Sequence, residues 1–336
     1  MLRWVKRIVV VIVGLIVVVV LAGVVYEQVM RSRAKSEFPA QGRLLDIGGG
    51  RRMQIDCRGA GTPTVVFEAG LDTMGSLSWS AVQDAVASTT RACAYSRAGV
   101  MWSDPRTQKF EPDGVARDLH ALLTAAGEHA PFVMVGHSLG GPYIMTYTRL
   151  YPQDVAGLVF VDASHPDQID RLNKAIGKKM EAGMGMLKAA SALNWTGLTR
   201  LLSSHSDSGG NIPHQAQLAN NAYISSSIGA ALQEGESLDA TLAAAGQLRQ
   251  LGDRPIVVLT ATKPLPEAVL KGVQMTPEQG QRMQAAWKLL HDDEASWSHH
   301  SRHELVPEAT HYIQFDKPDV VIAAVKEVVG DLRSGT

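Results

Sequence analysis

Short apolar runs of strand length, set apart by stretches of helical periodicity, constrain this chain more than any other feature. They fall at Val65–Phe67, Arg91–Tyr95, Phe132–Val135, Leu158–Val161 and Ile256–Leu259. Runs this short suit strands buried on both faces, and their alternation with helices predicts an α/β fold on a mainly parallel sheet. Upstream, Arg43–Ile47 and Arg51–Arg58 alternate polar with apolar residues around Gly48-Gly49-Gly50, the pattern of an antiparallel opening hairpin, so the sheet is expected to be mixed. Helix signals occupy the gaps. Asp113 stands where it would cap Gly114–Ala126, Thr276 with Pro277 and Gln279 opens a helix toward Leu290, and Pro318 begins the last one. Between Asp162 and Pro255 the chain is rich in Ala, Met, Leu and Ser and shows no strand pattern. About ninety residues are too many for a loop, which predicts a helical cap inserted into the sheet domain at about 165–252. Its Met180–Met186 piece reads either as a plastic apolar lining or as core packing.

A second constraint sits at the N-terminus, where Ile8 to Val25 form eighteen consecutive residues without a charge. As a helix rising about 1.5 Å per residue, the run spans roughly 27 Å, close to the ~30 Å hydrocarbon core of a bilayer. Arg3, Lys6 and Arg7 precede it, as at the charged start of a secretory signal. Val20-Leu21-Ala22 offers a small-residue cleavage site, yet the apolar stretch outruns the ~7–15 residues of a removed signal, which favours an uncleaved signal-anchor. Arg31, Arg33 and Lys35 follow, diluted by Glu27 and Glu37, so the basic tail is expected to stay inside and the main domain to be exported to a periplasmic or extracellular side. The expected organisation is a basic tail at 1–7, a membrane segment at 8–26, a linker at 27–41 and one catalytic domain at 42–330. The 32 basic and 33 acidic side chains leave no basic excess of the kind a nucleic-acid binder shows. Two cysteines are too few for a disulfide scaffold or a Cys-rich zinc site.

Gly136-His137-Ser138-Leu139-Gly140 is a G-x-S-x-G pentapeptide placed where the strand Phe132–Val135 gives way to a helical stretch, Leu139–Tyr151. A serine on so sharp a turn has a strained backbone, and side chains two positions to either side would collide. Glycine at 136 and 140 removes the collision, and the adjacent helix N-terminus favours negative charge beside Ser138. Ser138 is therefore the candidate nucleophile.

A serine hydroxyl needs a base. Of eleven histidines, His311 lies in a turn after the strand Glu304–Val306 and before the helix at Pro318, at the sheet edge where strand ends form sites. His291, His299, His300 and His303 cluster in sequence but lack the framed helical pair of a metal site, and no metal is expected. The third member should be a carboxylate that orients the imidazole. Asp162 ends its strand and falls between Ser138 and His311; Glu267 and the pair Asp292/Asp293 remain alternatives, because Ile256–Leu259 is followed by Thr260-Ala261-Thr262-Lys263-Pro264 with no acid. Oxyanion donors are expected from the backbone N–H groups of Leu71, in the turn Glu68-Ala69-Gly70-Leu71, and of Leu139.

Taken together, Glu68-Ala69-Gly70-Leu71, Tyr95-Ser96-Arg97-Ala98-Gly99, Gly136 to Gly141, Val161-Asp162-Ala163-Ser164-His165 and Thr310-His311-Tyr312-Ile313 resemble the α/β-hydrolase superfamily from about Gly42 to Gly330. The resemblance implies an eight-stranded, mostly parallel sheet with helices on both faces and a helical cap between strands 6 and 7. Three departures stand out. The family's usual Asp before Arg-x-Gly is Ser96, the glycine expected shortly after is Met101, and no acid directly follows the seventh strand. The first two bear on substrate preference, and the third makes Asp162 the preferred partner of His311. The family's strand order also puts Cys57 and Cys93 on neighbouring strands, where they form either a disulfide or two buried thiols.

The expected activity is that of a membrane-anchored serine hydrolase, esterase- or lipase-like, acting on a partly apolar small-molecule acyl compound through an acyl-enzyme without metal or organic cofactor. The segment 8–26 would hold it in the lipid bilayer. An acyltransferase on the same fold and a catalytically silent, anchored binding protein are the alternatives.

Overall fold

The computed structural model describes residues 2–179, 184–203 and 211–335. Eight strands form one sheet: β1 (Arg43–Asp46), β2 (Arg52–Arg58), β3 (Thr64–Glu68), β4 (Ala92–Ser96), β5 (Phe132–His137), β6 (Val155–Val161), β7 (Ile256–Ala261) and β8 (Ser301–Val306), in the order β1-β2-β4-β3-β5-β6-β7-β8. β1 pairs antiparallel with β2 and β2 antiparallel with β4, while every other pair is parallel. The mixed, mostly parallel sheet expected from the sequence is present.

The central strands hide both faces. Val66, Met134, Leu158, Phe160 and Val258 pack under helices Pro112–Ala126 and Gly140–Leu150, whereas Val65, Phe67, Val135, Val161 and Leu259 pack under helix Pro318–Ser334. The alternation follows from the period of two along a strand, and double burial explains why the strands read as continuous apolar runs. Cys57 and Cys93 are direct cross-strand partners on β2 and β4, and their sulfur atoms are bonded.

Helix starts differ in one detail from expectation. Thr276 and Gln279 form a capping box at the head of Pro277–Ala295, but Asp113 caps nothing: its helix begins one residue earlier, at Pro112 behind Glu111, and Asp113 pairs with Arg149. Proline's fixed φ suits the first helical position and moves the start upstream.

Among the described residues, the segment between β6 and β7 carries helices and no strand. These are Gln168–Ile176, Met184–Leu193, Leu198–Ser203, His214–Glu236 and Leu238–Ala245, with a 3₁₀ turn at Asn194–Thr196. Of the methionine piece, Met180 lies outside the described residues. Met184 approaches Gly235 close to the side chain of Leu71, and Met186 is exposed.

The first helix runs from Leu2 to Glu37 without a break. Residues 27–37, expected as linker, continue it, supported by i,i+4 pairs from Arg31 to Glu27 and from Arg33 to Glu37. Its two halves differ sharply. The apolar first half is exposed, while Glu27 and Ala34 of the second half are buried against the segment between β6 and β7, where the Tyr223 hydroxyl donates to the Phe38 carbonyl at 3.1 Å.

Candidate active site

β5, β6 and β8 run in the same direction, so Ser138, Asp162 and His311 follow their carboxyl ends. The turn between β5 and helix Gly140–Leu150 holds Ser138 at φ 51°, in the left-handed region that non-glycine residues rarely enter. Two glycines make this possible. A Cβ on Gly140 would lie 2.5 Å from the Glu68 carbonyl oxygen, and one on Gly70 would lie 3.0 Å from Ser138 Cβ, so the Glu68–Leu71 turn can close on the serine only with hydrogen at both positions. Asp162, just past β6, also has a positive φ, 42°.

The Asp162 carboxylate accepts three hydrogen bonds: at Oδ2 from His311 Nδ1 (2.6 Å), and at Oδ1 from the Ala261 N–H (2.9 Å) and Trp287 Nε1 (3.0 Å). An ionised carboxylate only accepts, so Nδ1 of His311 carries the hydrogen and Nε2 is left for other work. Burial is the largest influence on Asp162 and pushes its pKa up; the hydrogen bond and electrostatic attraction of His311, with His291 and the Ala261 N–H, together hold it below the ordinary carboxylate value. The His311 loop is held from beneath, because Nε2 of the buried His137 donates to the His311 carbonyl at 2.9 Å. Burial, then the neighbouring His311, pulls the His137 pKa down to about 3.

Other candidate carboxylates have their partners elsewhere. Glu267 is exposed and pairs with Lys271 (2.8 Å), Asp292 pairs with Lys288 (2.7 Å) and His303 (2.8 Å), and Asp293 pairs with His165 (2.8 Å). The histidines grouped in sequence are likewise dispersed. His291 and His303 flank the Thr260 hydroxyl, His299 faces Asp253 and His300 faces Asp331. His165, Asp167 and Asp293 hold ligand-type atoms within 4.8 Å of one another. Both ring nitrogens of His165 are engaged there, with the Asp167 N–H donating to Nδ1 and Nε2 donating to Asp293, and Arg249 grips both oxygens of Asp167.

Several contributors were given no role by the sequence, although Arg97 lies within the motif Tyr95-Ser96-Arg97-Ala98-Gly99. Trp287 reaches Asp162 from the capped helix Pro277–Ala295, 125 residues further along the chain. Arg97 uses all five of its N–H groups at buried acceptors: Glu68 and the Ala69 carbonyl from Nη1, Glu234 and the Gly70 carbonyl from Nη2, and Glu234 again from Nε, at 2.7–2.8 Å. The guanidinium thereby clamps the Glu68–Leu71 turn to helix His214–Glu236 and lies over the Tyr143 ring, 4.9 Å from its centroid. Glu68 also accepts from the Tyr95 hydroxyl; burial raises its pKa, and Arg97 and Tyr95 oppose that rise. Among the described residues, the N–H groups of Leu71 and Leu139 have no acceptor.

The two loop departures have a structural account. Ser96 is small enough to sit against Gly75, accepting from the Ser76 N–H and donating to Gln54. Met101 keeps the backbone a glycine would favour, φ 51°, with its N–H bonded to Ser227 of helix His214–Glu236 at 2.9 Å. Where an acid might have followed β7, the strand instead supplies the Ala261 N–H to Asp162.

Comparison with known proteins bears on the fold. A relative from Hormonema carpetanum, described as a probable transporter efuK, is 36% identical over 128 residues, covering 36% of this chain and 18% of the relative. The chain thus matches under a fifth of that protein's length. Among solved structures, a probable hydrolytic enzyme from Pseudomonas aeruginosa superposes with a TM-score of 0.64 at 19% identity, covering 87% of this chain and 95% of the other. A thermophilic esterase from Thermogutta terrifontis gives 0.54 at 18% identity, with coverages of 84% and 96%. The sequence profile of the α/β-hydrolase fold matches residues 63–318. On that match, with the sheet order and the serine turn already described, the chain belongs to the α/β-hydrolase fold family.

Proposed function

We propose that this hydrolase is a membrane-anchored serine esterase that works through an acyl-enzyme, with Ser138 as nucleophile, His311 as proton shuttle and Asp162 as the group that orients His311. The observation that carries the reading is the 2.6 Å contact from His311 Nδ1 to a carboxylate already fixed by Ala261 and Trp287, at the edge where the strained Ser138 turn meets a helix N-terminus. Ser138 Oγ attacks the ester carbonyl carbon while His311 Nε2 takes its proton. The oxyanion is met by the N–H groups of Leu71 and Leu139. The tetrahedral intermediate collapses, the C–O bond to the alcohol breaks, and His311 returns the proton to the leaving oxygen. Water then repeats the sequence on the acyl-enzyme and releases the acid.

Anchoring rests on the exposed, apolar first half of the N-terminal helix. A fluorophosphonate probe tests the nucleophile: wild type is expected to label and Ser138→Ala to stay unlabelled with an unchanged melting temperature. A folded wild type that neither labels nor hydrolyses a panel of esters would remove the reading. Equal yields of acid and transferred ester in the presence of added alcohol would favour acyl transfer over hydrolysis.

A further inference from the structure

The stretch of the cap from Met184 to Ser203 is built inside out. Leu193, Trp195, Leu198, Leu201 and Leu202 are exposed at 42–66%, whereas Thr199, Arg200 and Ser203 of the same short helix are buried. Helix Met184–Leu193 is almost wholly apolar, with Lys188 its one charge, yet none of its residues is buried. Exposed apolar residues scattered singly need no explanation, but a contiguous set with the polar residues turned inward marks a surface that meets something other than water.

What it meets is indicated by its neighbour. Thr199 and Ser203 bond to the Ala190 and Arg200 carbonyls within the cap, and Arg200 faces the N-terminal helix. Arg200 donates to both oxygens of Glu27 at 2.8 and 3.0 Å, and Ser225 donates to Glu27 at 2.6 Å. One turn up the same helix, a Cβ on Gly23 would lie 2.2 Å from the Thr196 carbonyl oxygen, so the 3₁₀ turn beside Trp195 touches the helix backbone itself. Gly23 lies within the uncharged run Ile8–Val25, about 3 Å from its end at a rise of about 1.5 Å per residue. The exposed leucines and Trp195 are thus fixed at the height where that helix leaves the hydrocarbon, the level at which Trp and Leu side chains settle in a bilayer surface.

We infer that the face formed by Leu193, Trp195, Leu198, Leu201 and Leu202 is seated in the lipid surface beside the N-terminal helix, and that the esterase site receives its ester from that leaflet rather than from bulk water. The second half of this statement rests on the esterase reading. Helix Met184–Leu193 links the two places. Its first residue packs near Leu71 and Gly235, where the oxyanion turn meets the cap, and its last adjoins the 3₁₀ turn against Gly23, about 15 Å away along the axis. An ester with a long acyl chain could lie along this apolar helix with its carbonyl at Ser138 and its tail in the leaflet.

The test uses the full-length chain in vesicles of mixed zwitterionic and anionic phospholipid. Cys57 and Cys93 are bonded to each other, so an introduced thiol is the one that labels. A nitroxide at Leu198→Cys or Leu202→Cys, in a Ser138→Ala background, is expected to be accessible to oxygen and shielded from a water-soluble nickel chelate. The same label at Asp253→Cys, exposed before β7, is expected to show the reverse. Water-like accessibility at 198 and 202, or spin–spin broadening that reports a second copy of the chain on this face, would overturn the seating. For the substrate class, the double variant Leu198→Glu/Leu202→Glu is expected to lose at least ten-fold in rate on a long-chain ester carried in vesicles, and to keep the wild-type rate on a short, water-soluble ester. Equal change on both esters, or none on either, would overturn a leaflet-borne substrate. If wild type cleaves neither ester, the esterase reading and the substrate class fail together, while the nitroxide measurement still decides the seating.

Discussion

At the carboxyl edge of the sheet, Val135, Val161 and Leu259 are hidden and the polar groups above them are tied one to another, from Trp287 and Ala261 through Asp162 to His311. At the rim of the cap, Glu27, Arg200 and Ser225 are hidden while Leu198, Leu201 and Leu202 face outward. Both regions pair most of their buried polar groups, although Nδ1 of His137, beneath the sheet edge, has no partner among the described residues. They differ in where the apolar surface goes, and the difference separates a wall of the protein core from a wall that a lipid surface can complete. A region whose polar side chains are inside and whose leucines are outside gains stability where its surroundings are themselves apolar.

The largest expected effect probes the sheet edge. Asp162→Asn should lower kcat by about four orders of magnitude with little change in the unfolding midpoint, since the amide favours the wrong imidazole tautomer. Glu267→Gln should leave kcat near wild type. Steady-state kinetics on both variants decides between them, and a near-normal Asp162→Asn would break the assignment of this edge as the reacting one. Next, Arg97→Met leaves Glu68 and Glu234 buried without their cation, and is expected to cost about 3–5 kcal/mol in urea unfolding. Because Arg97 holds the Glu68–Leu71 turn to the cap helix, loss of stability should be accompanied by a fall in kcat. A smaller effect is expected at the rim, where Arg200→Met leaves Glu27 with Arg31 and Ser225 as its remaining partners and should cost about 2 kcal/mol without altering kcat on a short soluble ester. A fall in kcat comparable to that of Arg97→Met would erase the distinction between rim and edge.

The last prediction concerns acid. His137 titrates at about 3 when folded and near 6.5 when unfolded, so the unfolded chain takes up a proton that the native chain refuses as pH falls through that window. Stability should therefore decline from about pH 6.5 downward. The lowered pKa of Asp162 acts in the same direction, its contribution being lost as the pH drops through its folded value. His137→Gln keeps a donor for the His311 carbonyl and should flatten the decline, as read from melting temperatures across pH 4–7.

Much of the sheet was legible because buried parallel strands leave apolar runs of a recognisable length, and the serine turn because it needs glycines at fixed offsets. Thr276 with Gln279 likewise announced a helix start that the structure contains. Other features were written in weaker signals. Residues 27–37 read as linker because they are polar, although Glu27/Arg31 and Arg33/Glu37 carry the i,i+4 spacing that favours a helix. Trp287 and Arg97 act through partners distant in sequence, and nothing local to either residue encodes those partners. The cap's exposed leucines were illegible in principle, since the same Ala-, Leu- and Met-rich composition suits a core, a pocket lining or a lipid-facing surface. Only their burial, opposite to that of Arg200, separates these.

The boundary within the N-terminal helix has a consequence for processing. The hydrogen bonds that tie that helix to the cap, and its backbone contact at Gly23, lie on the far side of Val20-Leu21-Ala22. A peptidase cutting after Ala22 would take away most of the exposed apolar run and leave Glu27, Ala34 and Phe38 still docked. The shortened protein would keep its cap braced and the Asp162–His311 pair assembled, and with its apolar rim in water would tend to adsorb to any lipid droplet, micelle or vesicle it encounters.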